Sequence, residues 1–355
     1  MIQKNWWKGL GVVILIYVFV SGLLVPLKPG ITGVSPGSAK TGDVLSVAVE
    51  GYNSFFLKGA ATQKAWLKLN NEYLLEAQEL EVLDDRHLNA VFTIPAFLPV
   101  SGKVQDVALI LDNAIDGPSV LPSAVFITQD SIQPERGQRE WPVVTPPDLH
   151  VIRSFAFPFR NILAESIRNT YFHVPLWFAM IFLFLASIVH SIKYLRSGDP
   201  RADHRASAFT SGGIFYGLLG VVTGAIWAKN TWGAYWSWDV KQNMTAIALL
   251  IYFAYFILRG LFEDPEQRAR ISAVYNIFAF SLLIPLIYII PRLTDSLHPG
   301  AGGNPALGGE DLDNTMRMVF YPAIIGWTLL GFWMVNLLYR IKDLDFKHLN
   351  AKSNR

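Results

Sequence analysis

The chain has 355 residues, 52% of them hydrophobic and 16% charged, with a formal net charge of +2 and a mean hydropathy of +0.30. Soluble proteins carry about 25% charged residues, so the composition argues against a soluble or disordered chain, and the small net charge gives no support to general nucleic-acid binding. Cysteine is absent, which excludes disulfides, thiolate metal sites, iron–sulfur clusters, a catalytic thiol and a Cys-x-x-Cys-His attachment motif within this chain.

A bilayer core of about 30 Å takes about 20 apolar helical residues. Six stretches meet or approach that length: 9–26, 171–195, 211–228, 244–258, 271–291 and 318–339. Lys4 and Lys8 precede the first, as in a signal peptide, but its apolar run is longer than a usual signal core and no Ala-x-Ala site follows. It reads as a retained anchor. Basic residues in short loops set the orientation. With the N-terminus inside, segments 1–8, 193–205, 259–270 and 340–355 hold fourteen Lys and Arg residues. The short outer segments hold four: Lys229, Lys241, Arg292 and Arg317. Both termini are therefore expected in the cytoplasm, and residues 27–169 on the outer side.

That outer segment has the size of a domain. Leu45, Val47 and Val49 alternate with Ser46, Ala48 and Glu50, and Leu88, Ala90, Phe92 and Ile94 alternate with His87, Asn89, Val91 and Thr93. Val107, Leu109 and Leu111 repeat the period of two, which belongs to strands with one buried face. Turn residues separate these runs at Ser35-Pro36-Gly37, Asp84-Asp85 and Asp116-Gly117. Short strands at this spacing predict a β-sandwich. Ile31-Thr32-Gly33-Val34-Ser35-Pro36-Gly37 and Gly42-Asp43 resemble the start of TIG-type immunoglobulin-like domains. The segment holding Pro134, Pro142, Pro146 and Pro147 reads as an irregular connector. The expected fold is a mainly α-helical polytopic membrane protein with an all-β, Ig-like sandwich inserted after its first helix. Its parts are an anchor (1–26), a sandwich (27–128), a connector (129–165), a five-helix membrane domain (166–340) and a basic tail (341–355).

Between the third and fourth spans the chain reads Trp227-Ala228-Lys229-Asn230-Thr231-Trp232-Gly233-Ala234-Tyr235-Trp236-Ser237-Trp238-Asp239. Four of the eleven tryptophans stand here. Trp and Tyr favour membrane interfaces, so an aromatic belt is one reading. A surface for a large, flat, apolar ligand is the other, with Gly233 allowing close approach to the backbone. His87 and His150 belong to the outer domain or connector, and His204 and His348 to basic inner segments. His190 lies near the inner end of the second span, where it reads as hydrogen-bonded in the bundle or as functional. His173 and His298 fall on the outer face beside the tryptophans. Two neutral imidazoles could ligate a haem iron from both sides, with the aromatic surface against the porphyrin. Two unrelated interfacial histidines remain the alternative, and zinc is weaker because no third ligand is apparent. Arg168, Lys229, Lys241, Arg292 and Arg317 could meet haem propionates or be ordinary interfacial charges. Asp239 could orient a histidine, pair with Lys241, or cap the fourth membrane helix.

Trp232-Gly233-Ala234-Tyr235-Trp236-Ser237-Trp238-Asp239 resembles the W-G-x-x-W-x-W-D signature of the WWD-motif haem-handling proteins of cytochrome c maturation, the CcmC/CcmF/CcsA superfamily. Within it the chain is most similar to the CcmC family. Arg168-Asn169-Thr170-Tyr171-Phe172-His173-Val174-Pro175 resembles that family's R-x-x-x-x-H-V-P segment, and Ser296-Leu297-His298 its second-ligand segment. The resemblance covers about residues 160–340 and implies a function: haem b, held without a covalent bond, is presented at the outer face of the bacterial inner membrane to a CcmE-like haem chaperone. CcmA/CcmB-like ABC transporter subunits then release the loaded chaperone. The resemblance makes His173 and His298 the axial ligands and Trp232, Gly233, Tyr235, Trp236, Trp238 and Asp239 the platform. It gives Arg168 and Lys241 supporting or propionate roles.

The chain departs from the family at two places. Typical members have a short loop where about 140 residues intervene here, and many carry Arg at the position of Lys241, whose point charge lacks the bidentate fork. The implied role is delivery rather than catalysis. The alternative is a CcsA-like component of a cytochrome c synthase, which carries a second histidine pair within the membrane; His190 is the one candidate for it. A membrane anchor displaying an Ig-like domain is a third reading. No Gly-x-x-x-x-Gly-Lys-Ser/Thr loop is present, so ATP dependence would come from a partner.

Overall fold

The computed structural model describes residues 5–70, 72–141, 148–152, 154–298 and 312–353, with side chains to residue 348. Lys4 and three of the connector prolines, Pro142, Pro146 and Pro147, lie outside the described residues. The chain divides into two compact units, residues 26–165 and residues 1–25 with 166–355.

The second of these is helical. Its principal helices are α1 (Trp6–Leu24), α4 (His173–Ser197), α5 (Pro200–Trp232), α6 (Val240–Gly260), α7 (Pro265–Ile284), the short α8 (Ile290–Leu293) and α9 (Asn314–Ser353). Among the described residues six helical stretches are long and apolar enough to cross a membrane, as hydropathy predicts, and the fold is that of a polytopic membrane protein. α1 packs on α9, where Gly11 meets Leu329 and Gly326 meets Ile14 and Leu15. α4 packs against α5, α7 and α9.

Helix ends differ from the hydropathy boundaries. α5 starts eleven residues before its apolar stretch, because the Asp199 side chain accepts from the Arg201 amide and Pro200 occupies the first turn. Capping residues set a helix end, whereas hydropathy sees only the apolar portion. After α7, Pro285 and Pro291 lack an amide donor, and residues Pro285–Ile289 widen into a π turn before α8.

The contact between α4 and α5 rests on glycine. A Cβ at Gly213 would lie 2.5 Å from the Phe184 ring, at Gly217 3.1 Å from Met180 Sδ, at Gly220 2.7 Å from the Trp177 ring and at Gly224 2.7 Å from His173 Cε1. The partners run in reverse order, as antiparallel helices require. Small residues let two helix backbones approach where lipid offers no hydrophobic drive.

Among the described residues the other unit is a sandwich of nine strands: β1 (Gly30–Ser35), β2 (Ser38–Lys40), β3 (Val44–Tyr52), β4 (Lys64–Leu69), β5 (Tyr73–Glu76), β6 (Glu79–Val82), β7 (His87–Thr93), β8 (Val104–Asp112) and β9 (Ser119–Thr128), with the one-turn helix α2 (Phe56–Gly59) between β3 and β4. One sheet runs β1-β3-β7-β6 and the other β2-β9-β8-β4-β5. All pairings are antiparallel except β2 with β9. The inward residues Leu45, Val47, Val49, Leu88, Ala90, Phe92, Val107, Leu109 and Leu111 form its core with Leu67 and Val125. β4 and β5 were not evident from alternation: Ala65, Trp66 and Leu67 are buried in succession. The segment after β9 is more ordered than its irregular sequence suggests. It forms α3 (Pro134–Glu140), and Trp141 enters the sandwich core with its indole N–H donating to Phe97 O at 3.1 Å.

Candidate functional site

The aromatic run forms the junction of α5 and α6. Gly233, at φ +82°, ends α5 in the left-handed conformation, and its amide donates to Lys229 O. Left-handed backbone at this position is readily adopted by glycine. Lys229 Nζ returns to Gly233 O at 2.8 Å. Trp238 also has a positive φ, +58°, which costs energy for a bulky residue and is held by its surroundings. Asn243 Nδ2 donates to Trp238 O at 2.7 Å, and Gln242 Oε1 accepts from the Ser237 amide and hydroxyl at 2.9 and 3.1 Å. Two amides in the first turn of α6 therefore pin the motif loop from behind.

Asp239 is the hub. It caps α6 by accepting from the Lys241 amide at 2.9 Å. The same buried carboxylate accepts from Ser296 Oγ at 3.1 Å, the Leu297 amide at 2.8 Å and His298 Nδ1 at 2.8 Å. Burial opposes its ionisation, but the Leu297 amide, the Ser296 hydroxyl and His298 together outweigh burial and hold the carboxyl below its usual range. Burial, reinforced by Lys241, pulls the His298 imidazole down to about 4 against the opposing pull of Asp239. His298 is therefore neutral at pH 7. With Nδ1–H directed at Asp239, its Nε2 carries the lone pair.

His173 opens α4. Its Nδ1 lies 3.0 Å from Gly220 O and 3.1 Å from Thr223 Oγ1. The carbonyl can only accept, so Nδ1 carries the proton and Nε2 the lone pair. Trp177 Nε1–H donates to that Nε2 at 3.3 Å. His173 packs on α5 at Gly224, about one turn before Trp227, whose ring centroid lies 6.4 Å from that of His298. Trp232 meets His298 edge-on at 4.8 Å between ring centroids, and Trp227 meets Trp232 at 4.9 Å.

The expected residues thus divide. His173, His298, Asp239, Lys241 and Trp232 come together. Trp236 is half-buried in the same loop, and Tyr235 and Trp238 project outward. Arg168 Nη1 donates to Gly22 O at 3.0 Å and Val25 O at 2.7 Å, satisfying carbonyls at the C-terminal end of α1. Arg168 supports the helix packing beside His173. His190 stacks on Phe209 at 5.6 Å.

A family model described as CcmC, heme exporter protein C, matches residues 151–352. The chain belongs to the CcmC family. It is 27% identical to a heme exporter protein C of Bradyrhizobium diazoefficiens over 165 residues, 46% of this chain and 62% of that protein, less than two thirds of its length. With the Paracoccus denitrificans protein of the same name it shares 27% identity over 192 residues, 54% of this chain and 79% of the relative. With that of Escherichia coli K12 it shares 24% over 180 residues, 51% and 71%. The CcmC match takes in both histidines and the tryptophan motif, and it begins beyond the last strand of the sandwich.

Within this CcmC framework, residue-type reasoning missed Trp177, Thr223, Gly220, Gly224 and Gln242. The glycine spacing 213, 217, 220 and 224 was a readable signal of close helix packing. Nothing in the sequence showed that a histidine would lie against Gly224.

Proposed function

We propose that the protein handles haem for cytochrome c maturation, holding haem b as noncovalent cargo between His173 and His298 on the Trp232–Asp239 platform. One observation carries this reading: both imidazoles use Nδ1 for protein hydrogen bonds, to Asp239 and to Gly220, so both carry the lone pair a metal needs on Nε2, that of His173 accepting from the Trp177 indole. Metal-bound histidines are oriented in this way by a partner on the other nitrogen. The donor set fits haem iron, which accepts two axial imidazoles. Among the described residues no group of three or more His, Cys, Asp and Glu residues could hold a bare metal ion.

The chain's own residues supply binding and orientation. Asp239 holds the His298 ring and stabilises positive charge on it. His173 would hold the iron through Nε2, the atom that accepts from the Trp177 indole. Lys241 supplies a cation for a propionate, and Trp232, Trp236 and Trp238 give apolar faces to the macrocycle. Exposed Tyr235 and Trp238 leave one side open for transfer to a CcmE-like chaperone, with CcmA/CcmB-like subunits driving release. In this reading the site faces the periplasm from the bacterial inner membrane and both termini are cytoplasmic.

The test is the absorption spectrum of the detergent-purified protein supplied with haem, beside folded His173→Ala, His298→Ala and double variants. A six-coordinate low-spin spectrum disturbed by each single change is expected. Unchanged haem binding in the double variant would remove both residues as ligands.

A further inference from the structure

The two imidazoles are fastened differently. Behind His298 stands the Asp239 carboxylate, an anion that strengthens the lone pair on the opposite ring nitrogen. Behind His173 stand neutral oxygens, the Gly220 carbonyl and the Thr223 hydroxyl. That hydroxyl lies 2.9 Å from Leu219 O and 3.1 Å from Gly220 O, so its proton is spent on α5 and its oxygen meets His173 as an acceptor. The His173 proton is thereby fixed on Nδ1, and Nε2 is the acceptor of the ring.

That acceptor is engaged. An indole nitrogen can only donate, and Trp177 Nε1–H reaches His173 Nε2 at 3.3 Å. The rings meet edge to face, with centroids 6.0 Å apart and planes at 81°. Both residues stand on α4 at the i, i+4 spacing that puts side chains on one helix face. The indole has room because Gly220 lacks a side chain: a Cβ there would lie 2.7 Å from the Trp177 ring. Gly220 therefore serves twice, through its carbonyl to His173 Nδ1 and through its bare Cα to the indole. A hydrogen bond at Nε2 and a metal at Nε2 exclude each other, since both use the same lone pair.

We propose that Trp177 competes with iron for the His173 lone pair, which makes His173 the releasable ligand of the two. The proposal rests on the reading of His173 and His298 as haem ligands. The indole covers Nε2 in the haem-free protein and takes the nitrogen back when haem leaves. Both partners belong to one helix, so a turn of the indole opens the bond without moving α4 against α5. Breaking the bond lowers haem affinity at this ligand alone, which suits a cargo that is passed on.

The test removes the N–H and keeps a ring in place. Trp177→Phe and Trp177→benzothienylalanine, whose sulfur replaces the indole N–H in a ring of similar shape, are made in the full-length chain, each alone and together with His173→Ala. The detergent-purified proteins are titrated with haem, and haem transfer to apomyoglobin is timed. Binding about two- to tenfold tighter than in the wild type is expected in both single variants, the range that the net worth of one hydrogen bond allows. Transfer should slow, and the gain should vanish in the His173→Ala background. Unchanged or weaker binding in the benzothienylalanine protein overturns the proposal. An equal gain without His173 also overturns it, because that gain belongs to packing. A second readout needs no haem. With the tryptophan indole nitrogens isotope-labelled for NMR, the Trp177 N–H signal is identified by its loss in Trp177→Phe, and it should move upfield in His173→Ala. A signal that stays in place overturns the bond itself. Haem binding unchanged in the His173→Ala, His298→Ala double variant brings down the ligand reading and the proposal with it, whereas normal loss of haem there beside an unaffected Trp177 variant brings down the proposal alone.

Discussion

At one end of the helical unit Arg259 grips Asp203 through bonds of 2.7 and 2.8 Å, and Lys342 donates to Ser207. At the other, Asp239 gathers His298, Ser296 and two backbone amides, while His173 and His298 each carry a lone pair on Nε2, which at His173 accepts a long bond from the Trp177 indole. The first arrangement is closed: a planar guanidinium meets a carboxylate in a fork, and their charges cancel. The second is oriented but incomplete, and exposed Tyr235 and Trp238 surround it. Charge fastens helices at one end and orients an imidazole at the other. The same side-chain types become structural or functional according to whether their coordinating atoms are used up.

The largest effect should come from opening the closed end. Asp203→Ala leaves Arg259 buried without its partner and should cost about 3–5 kcal/mol. Denaturant or thermal unfolding in detergent checks this, and the protein that remains folded should keep its haem spectrum. A loss smaller than that of an exposed surface pair would break the comparison.

Gly224→Ala sharpens it at the other end. The new Cβ would sit 2.7 Å from His173 Cε1, so the ring must move. Overpacking costs about 1–3 kcal/mol, and the low-spin haem spectrum should weaken. Gly213→Ala, which meets the Phe184 ring at 2.5 Å, should lower stability and leave the spectrum alone. Equal spectral effects from the two would remove the special link between Gly224 and the ligand.

Asp239→Asn should be milder in stability, because Asn also caps helices well. It withdraws the charge that holds the His298 ring, and haem affinity should fall about 10–100-fold, the range for loss of a partner behind a metal-bound histidine. Haem titration of the folded variant measures the change.

The smallest effect is the pH response. His298 has a folded pKa of about 4 against an ordinary 6.5. The unfolded chain gains a proton on this group first, so its neutral form favours folding fully above about 6.5, and that contribution is lost as pH falls toward 4. Haem titrations between pH 8 and 6 should show no loss of ligation by His298. A midpoint near 6.5 for its displacement would contradict the buried, neutral state.

Much of this was readable before any coordinates. Apolar runs located six membrane helices, because lipid requires long helical stretches. Alternation at Val47, Leu88 and Leu109 located a sandwich, because a strand with one buried face has a period of two. The motif Trp232–Asp239 and the two histidines pointed to haem handling. The buried run Ala65-Trp66-Leu67 hid β4, since a strand covered on both faces loses its alternation. Arg168 read as a conformational or propionate support, and only packing showed its Nη1 on the carbonyls of Gly22 and Val25.

The sequence by itself therefore determined the residue types and the segment plan: helices by hydropathy, strands by period, and a motif by spacing. Those are local properties, written in neighbouring residues. The tertiary structure decided which nitrogen of each histidine is engaged, that one carboxylate joins α6 to the segment 296–298, and that Gly224 makes room for His173. These contacts join residues about 50 to 60 positions apart in the chain. Their geometry depends on how closely helices approach, and side-chain volume at a glycine seam sets that distance.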